Sequence, residues 1–240
     1  MRIMPGVIGG TACLAACGAG ALMAYGVRGR SSTLFAPSVY RGPASRRAIA
    51  LTFDDGPSES TPRLLSLLAE YGISATFFQC GANVERLPEI AREVAGQSHE
   101  IGNHTYTHPK FYFRRPEFMT DELARAQAAI QNATQVSPTL FRAPFGVRWP
   151  GLGQAQRRFN LLGVMWTVIG RDWKLAAEGI FRRVLPKIRN GAIICLHDGR
   201  ELSVRPDVAA TIDAARRLIP ALKAQGYRFE TVSQLLCPTN

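Results

Sequence analysis

The stretch that decides the fold is Ala48–Pro57, AIALTFDDGP, in which six apolar or β-branched residues run directly into two aspartates, a glycine and a proline. A short apolar run that ends at turn residues predicts a buried β-strand. Six further runs of this kind follow, at 75–80, 100–103, 139–142, 161–168, 192–196 and 227–230. Because helix-like segments separate most of these runs, the sequence predicts a parallel α/β fold, either a barrel or a doubly wound sheet.

Polar segments follow five of the predicted strands directly. They are DDGP at 54–57, HTYTH at 104–108, RAPFG at 142–146, RDW at 171–173 and HD at 197–198. In parallel α/β folds, functional groups gather at the carboxyl ends of the strands. The chain has four histidines, and three of them lie in these segments. The sequence therefore predicts a functional site at this edge of the sheet.

Asp55, His104 and His108 are the candidate metal ligands. Two imidazoles and one carboxylate suit a divalent first-row metal with open coordination positions. The adjacent Asp54 then remains free as a base, and a base beside a metal ion is the apparatus of metal-assisted hydrolysis. His99 has no partner in the sequence, and we expect a structural role for it.

His197 and Arg142 extend this interpretation. Departure of an amine needs a general acid, and histidine suits that task at His197. Arg142 is expected to hold the base ionised through a bidentate pair. A non-haem iron oxygenase also uses two histidines and a carboxylate, but the aspartate pair and the late His197 favour hydrolysis.

In this order, the segments TFDDGP at 52–57, HTYTH at 104–108, RAPFG at 142–146 and LHD at 196–198 resemble the polysaccharide deacetylases of carbohydrate esterase family 4. The resemblance covers roughly residues 47–237. It implies an α/β fold with a distorted (β/α)7-type barrel, preceded here by an N-terminal hydrophobic helix. It also implies a hydrolase that removes N-acetyl groups from N-acetylglucosamine units of peptidoglycan or a chitin-like glycan. The alternatives are an O-acetyl esterase of the xylan type and a weakly active or inactive glycan-binding relative.

The resemblance assigns a role to each matching residue. The implied catalytic group is Asp54 as base, His197 as acid, Arg142 as the residue that orients the base, and Asp172. The implied metal ligands are Asp55, His104 and His108, for Zn²⁺ or alternatively Co²⁺, Ni²⁺ or Mn²⁺. The implied substrate-binding residues are Pro144, Phe145, Gly146, Trp173 and Leu196, with the backbone amide near Phe145 as an oxyanion donor.

One departure from the family pattern concerns the fourth motif. The family reads Asp-x-x-Asp-Trp, whereas this chain has Ile169 at the first aspartate and keeps Asp172 and Trp173. Because an acid of this motif tunes the catalytic histidine in the family, we expect either that Asp172 supports His197 or that the acid is weakened. A weakened acid would favour O-acetyl over N-acetyl substrates, since an alkoxide leaves more readily than an unprotonated amine.

The N-terminal segment carries 21 consecutive uncharged residues, Val7–Val27. As a helix they would span about 31 Å, close to one bilayer core. We interpret residues 1–30 as a membrane-anchor helix or a signal peptide. The segment LAAC at 14–17 resembles a lipoprotein cleavage site and gives a third alternative. Residues 31–46 are interpreted as a linker and residues 47–240 as the catalytic domain. The arginines after the stretch favour a cytoplasmic body, but a polymeric glycan substrate favours an extracytoplasmic location in the cell envelope.

Composition and charge exclude other classes. The 240 residues are 46% hydrophobic and 20% charged, which is typical of a globular protein rather than a disordered or fibrous one. The net charge is +11, and the first 47 residues hold six arginines and no acid. The remaining excess is modest, so no nucleic-acid partner is predicted.

The five cysteines form no CxxC motif, and Cys80 and Cys195 are expected to be buried free thiols. The sequence indicates no oligomeric state.

Overall fold

The computed structural model describes residues 6–237, with side chains from residue 17 onward. The uncharged N-terminal stretch forms helix α1, Gly6–Arg28. Within the described part of the chain, no helix is both long enough and apolar enough to cross a membrane. Residues 1–5, which belong to the predicted signal or anchor segment, lie outside the described residues.

The sheet contains nine strands among the described residues. They are β1 Ser38–Val39, β2 Ala48–Gly56, β3 Thr76–Gln79, β4 Glu100–Asn103, β5 Leu140–Phe141, β6 Leu162–Val164, β7 Val168–Ile169, β8 Ile193–His197 and β9 Arg228–Phe229. Eight of them follow the order β1-β6-β5-β4-β3-β2-β8-β7, and β9 pairs with the start of β2. These strands all pair in parallel, and the sheet curls into a half-barrel. The predicted distorted α/β barrel is confirmed.

Eight further α-helices follow α1 in residues 29–237. They are α2 Thr61–Glu70, α3 Gly81–Arg86, α4 Pro88–Gly96, α5 Pro116–Thr134, α6 Leu152–Arg158, α7 Ala177–Val184, α8 Ala209–Ala224 and α9 Val232–Leu236. Helices α2 to α8 lie between strands in the chain, and α9 follows the last strand and packs against β2. A proline stands in the first turn of α2, α4 and α5. There its fixed φ suits the helix and its missing N–H leaves no hydrogen bond unmade.

Strand β2 shows how the sheet divides the core. Ile49, Leu51 and Phe53 belong to the main apolar cluster, which includes residues of α2 and α8. Ala50, on the opposite face, packs in a smaller cluster that includes residues of α9. Because side chains alternate along a strand, Asp54 shares the face of Ala50 and points into the barrel interior. The aspartate at the carboxyl end of β2 therefore lies on the interior face of the sheet.

The segment predicted as a linker, residues 31–46, contributes to the domain. Its residues Ser38–Val39 form β1, which pairs with β6. Val27 and Ala36 are buried in an apolar cluster with residues of α5 and α6. We call residues 26–41 the N-terminal arm. The sequence does not indicate this strand pairing, because a two-residue strand carries no periodic signal.

Candidate active site

A cavity of about 840 Å³ opens at the carboxyl ends of the strands. It brings together most of the predicted site residues. Those lining it are Asp54, Asp55, His104, His108, Phe145, Trp173 and His197. Residues separated by more than a hundred positions in sequence meet here because parallel strands present their carboxyl ends at one edge.

Asp55, His104 and His108 converge on one point. Asp55 Oδ1 lies 3.3 Å from His104 Nε2 and 3.1 Å from His108 Nε2. Two donors separated by about 3.3 Å are what tetrahedral coordination at about 2.0–2.1 Å produces. His104 Nδ1 is 2.7 Å from the Arg142 carbonyl oxygen, which can only accept a hydrogen bond. The proton therefore lies on Nδ1, and the Nε2 lone pair faces the site.

A buried carboxylate oxygen supports a metal at this point. Asp55 Oδ1 is buried without a hydrogen-bond partner among the described residues. A buried carboxylate oxygen is rarely left unpaired, because its desolvation is costly. The three donor atoms lie within 4.8 Å of one another. This oxygen and nitrogen donor set fits a divalent metal ion.

The backbone conformation at two of these ligands is strained, which also indicates a functional site. Asp55 has φ 72° and His108 has φ 57°, in the left-handed region that non-glycine residues rarely adopt. The Asp55 carboxylate is also fixed by the backbone N–H of Glu201, which donates to Oδ2 at 2.8 Å. Strain of this kind persists only where the surroundings impose it, and it clusters at functional sites.

The charge state of Asp55 follows from its surroundings. Burial opposes ionisation, but the neighbouring His104 and His108 imidazoles outweigh burial and hold the pKa of Asp55 well below its usual range. The carboxylate is therefore ionised at neutral pH, as a metal ligand must be.

The second aspartate, Asp54, pairs with a fully buried arginine. Arg142 Nη1 donates to Asp54 Oδ1 at 2.6 Å and to Thr52 Oγ1 at 2.7 Å. Its other nitrogens donate to the carbonyl oxygens of Val164 and Met165. The pair is thus made through one nitrogen, and the expected bidentate contact is corrected. The arginine is positioned by the strand ends, which leaves Asp54 Oδ2 on the cavity side without an arginine contact.

His197 pairs with Asp172, which is buried. His197 Nδ1 is 2.9 Å from Asp172 Oδ1, and the His197 backbone N–H donates to Oδ2 at 2.8 Å. Burial would lower the pKa of His197, but the charge and hydrogen bond of Asp172, with the charges of Asp55 and Asp54, raise it to about 9. His197 is therefore protonated at neutral pH, with Nε2 free to donate.

This pair answers the question raised by Ile169. Asp172 supplies the carboxylate that His197 needs, and the adjacent Asp198 instead accepts from Thr61 Oγ1 at 2.6 Å. The expectation of a weakened acid, and with it an O-acetyl preference, loses its premise. Burial, together with the charges of Asp55 and Asp54, raises the pKa of Asp198 to about 7.

The predicted substrate residues divide into two groups. Phe145 and Trp173 line the cavity, and their rings lie 4.7 Å from His108 and 5.2 Å from His197 by centroid. Pro144 and Gly146 are buried and do not line it.

The structure places Leu196 away from the residues that line the cavity. Leu196 is fully buried in the main apolar cluster on the helix-facing side of β8. Its neighbours Cys195 and His197 line the cavity. Because side chains alternate along a strand, a residue adjacent to His197 cannot share its face. The wall position next to the acid belongs to Cys195.

Several lining residues were not predicted as site residues. They are Arg28, Lys110, Tyr112, Trp166, Arg171, Cys195, Arg200, Glu201 and Ser203, together with Ala143 and Ile169. Lys110 and Tyr112 follow the HTYTH segment, and Arg171 follows β7, so their place after a strand end could have indicated them. Arg28 belongs to the N-terminal arm, and no sequence signal brings it to the cavity.

The remaining expectations concern single residues. His99 is buried, and its Nδ1 accepts from the Ala75 backbone N–H at 3.2 Å. Its burial lowers the pKa of the imidazole to about 4. Cys80 and Cys195 are buried free thiols, as predicted.

Comparison with known proteins gives consistent matches over this fold. The family described as "Polysaccharide deacetylase" matches residues 41–163. The chain is 36% identical over 205 residues to a chitooligosaccharide deacetylase of Bradyrhizobium sp. (strain ANU 289), covering 82% of this chain and 94% of that protein. It is 35% identical over 198 residues to a peptidoglycan-N-acetylglucosamine deacetylase of Bacillus cereus (strain ATCC 14579), covering 81% and 90%. The crystal structure of the Bc1960 peptidoglycan N-acetylglucosamine deacetylase superposes with a TM-score of 0.77 at 31% identity, covering 82% of this chain and 91% of that one.

Proposed function

Because the chain belongs to the polysaccharide deacetylase family, carbohydrate esterase family 4, we propose that it hydrolyses the N-acetyl groups of N-acetylglucosamine units in a glycan. It is a polysaccharide deacetylase, a hydrolase of carbon–nitrogen bonds. The observation that carries the proposal is the meeting of two separately paired groups, Asp54 with Arg142 and His197 with Asp172, in one cavity with three metal donors.

Asp54 acts as the base in this proposal. Its Oδ1 is engaged by Arg142 at 2.6 Å, so Oδ2 accepts the proton of the attacking water. When bound by Asp55, His104 and His108, a divalent ion polarises the acetyl carbonyl and lowers the pKa of water. We propose Zn²⁺ as this ion, because two imidazoles and a carboxylate with an open position are a common catalytic zinc set.

His197 acts as the acid. It holds a proton at neutral pH and presents Nε2 to the cavity, so it can protonate the amine as the carbon–nitrogen bond breaks. Asp172 fixes the ring orientation and stabilises the imidazolium. The two proton-transfer groups are thus each held by a separate partner, Arg142 for Asp54 and Asp172 for His197.

The charge at the mouth of the cavity favours one glycan class. Arg28, Lys110 and Arg171 are exposed cations that line the cavity, with Glu201 as an exposed acid there. The relatives act on chitooligosaccharides, which carry no acid, and on peptidoglycan, which does. We propose a carboxylate-bearing polymer of the peptidoglycan type. Such a polymer lies outside the cytoplasm, so we propose a cell-envelope location.

The test is acetate release by the zinc-loaded protein from peptidoglycan and from N-acetylglucosamine oligomers. We expect release that stops on chelation, returns with Zn²⁺, and falls by about 10²–10⁴-fold in Asp54→Asn, the typical contribution of a general base. Asp121→Asn, which removes an exposed aspartate on α5, is the matched control and should retain full activity. Release from acetylated xylan alone would contradict the proposal.

A further inference from the structure

Cys195 faces the cavity but has no part in the proposed hydrolysis. In the register of β2 and β8, Thr52 lies opposite Cys195 and Asp54 lies opposite His197. Cys195 and His197 are two positions apart, so they share the interior face of β8. The ligand atoms of Asp54, Cys195 and His197 all lie within 4.8 Å of one another.

We propose that Asp54, Cys195 and His197 form a second metal site, separate from Asp55, His104 and His108, which takes a thiophilic divalent ion such as Cd²⁺ or excess Zn²⁺. Binding follows from the geometry alone. Its inhibitory consequence rests on the proposed function, because two of the three ligands are the base and the acid.

The distance between the ligand atoms fits coordination. Cys195 Sγ lies 3.4 Å from Asp54 Oδ2. Tetrahedral zinc with a sulfur ligand at about 2.3 Å and an oxygen ligand at about 2.0 Å separates those two atoms by about 3.5 Å. These two atoms are therefore already spaced to share an ion, and the ligand atom of His197 lies within 4.8 Å of both.

The two remaining ligands are oriented by their own partners. Asp172 binds His197 Nδ1 and so directs Nε2 towards the cavity, which is the usual arrangement of a metal-binding histidine and its supporting carboxylate. Arg142 holds Asp54 Oδ1, which leaves Oδ2 for the ion. The same arginine places a positive charge beside the site, so we expect it to fill only after the site at Asp55.

The sulfur ligand makes this site chemically different from the first one. Burial raises the pKa of the Cys195 thiol well above its usual range, so the sulfur carries a proton before binding. When the metal bonds form, this proton and the Nε2 proton of His197 are both released to the solvent, because a histidine ligand must be neutral. A thiolate ligand favours Cd²⁺ or Zn²⁺ over hard ions such as Mg²⁺.

The experiment is a cadmium titration of the full chain loaded with one zinc ion, in a background where Cys13, Cys17 and Cys237 are serine. Of the five cysteines, only Cys80 and Cys195 then remain. We expect one cadmium ion to bind with the zinc retained, an ultraviolet sulfur-to-cadmium charge-transfer band, and loss of deacetylase activity. Cys195→Ala should weaken this binding at least tenfold and remove the band.

The matched control is Cys80→Ala, which removes the other buried thiol and should bind cadmium as the parent does. Cys195→Val fills the space of the thiol and guards against a packing effect of the alanine. Equal cadmium binding in the parent and both Cys195 variants, or release of the zinc by cadmium, would overturn the proposal. Because binding is measured by metal content and absorption, the result does not depend on which glycan the enzyme deacetylates.

Discussion

At the scale of single residues, Asp172 is the most heavily engaged carboxylate of the site. Its Oδ2 accepts from the His197 backbone N–H and from Thr211 Oγ1 at 2.7 Å, while Oδ1 contacts the His197 ring. Burial opposes its ionisation, but His197 and these hydrogen bonds keep the pKa of Asp172 below its usual range. A fixed negative charge beside His197 sets the proton affinity of the acid, and Ile169 takes no part in it.

Asp172→Asn tests this role through the pH profile. A general acid works while protonated, so activity is lost as pH rises through its pKa, which Asp172 helps raise to about 9. Without the carboxylate, we expect the alkaline limb of kcat/KM to move towards about 6.5, the ordinary histidine value. The acid limb should stay in place. An alkaline limb that does not move would show that Asp172 has only a structural role.

Leu196 and its strand neighbours give a second prediction at this scale. Because Leu196 belongs to the main core, Leu196→Ala should destabilise the protein by about 2–5 kcal/mol and leave KM unchanged. Denaturant unfolding and initial rates measure the two quantities. Ile194→Ala, on the same face of β8, is the control and should behave alike. A raised KM with unchanged stability would return Leu196 to the substrate wall.

At the scale of elements, the sequence predicted where the strands end but did not fully predict which face of the sheet each side chain occupies. Each apolar run followed by polar residues marks where a strand delivers chemistry, and Asp54, His104 and His197 were found this way. The assignment of Leu196 came from the family pattern, and a run buried on both faces, such as IICLH, shows no alternation that would separate its face from that of His197. The run 161–168, LLGVMWTV, became two strands, β6 and β7, because its largely apolar composition hides the break at 165–167.

The contacts of the N-terminal arm with the rest of the chain are the feature that the sequence indicated least. Arg148, which is buried, donates to the carbonyl oxygens of Gly29 and Ser32 and to Ser38 Oγ. The Gly153 backbone N–H donates to the Phe35 carbonyl at 2.9 Å. These contacts join residues more than a hundred positions apart. Composition is a local property that does not reveal such contacts, and it therefore indicated a linker. The arm fixes Arg28 at the cavity mouth.

Truncation tests whether the arm belongs to the catalytic domain. A chain beginning at residue 37 should lose at least about 3 kcal/mol of unfolding free energy, since a hydrogen bond to a charged group contributes about 1.5–3 kcal/mol and Arg148 loses two acceptors. A chain beginning at residue 17 keeps the arm and is the control. Thermal and denaturant unfolding compare the two. Equal stability of both chains would make the arm a true linker.

At the scale of the whole molecule, the net charge of +11 is distributed so that it bears on function. Arg28 from the arm, Lys110 from the loop after β4 and Arg171 from the loop after β7 reach one cavity from three distant parts of the chain. Lys110 Nζ also lies 4.9 Å from the centre of the Phe145 ring. These three exposed cations face a single exposed acid, Glu201, at the cavity mouth, and such a positive excess raises the local concentration of an oppositely charged substrate.

The effect of these three cations on substrate binding can be tested with a variant and a control that have the same net charge. The variant with Arg28, Lys110 and Arg171 each changed to Gln should raise KM for peptidoglycan fragments that carry carboxylates, leave kcat close to the parent, and flatten the dependence of KM on salt. The control changes three exposed cations outside the cavity, Arg63, Arg158 and Lys187, to Gln. Neutral N-acetylglucosamine oligomers should be turned over alike by parent, variant and control. If KM rises equally for neutral and acidic glycans, the three cations bind sugar hydroxyls rather than carboxylates, and the preference for an acidic polymer is wrong.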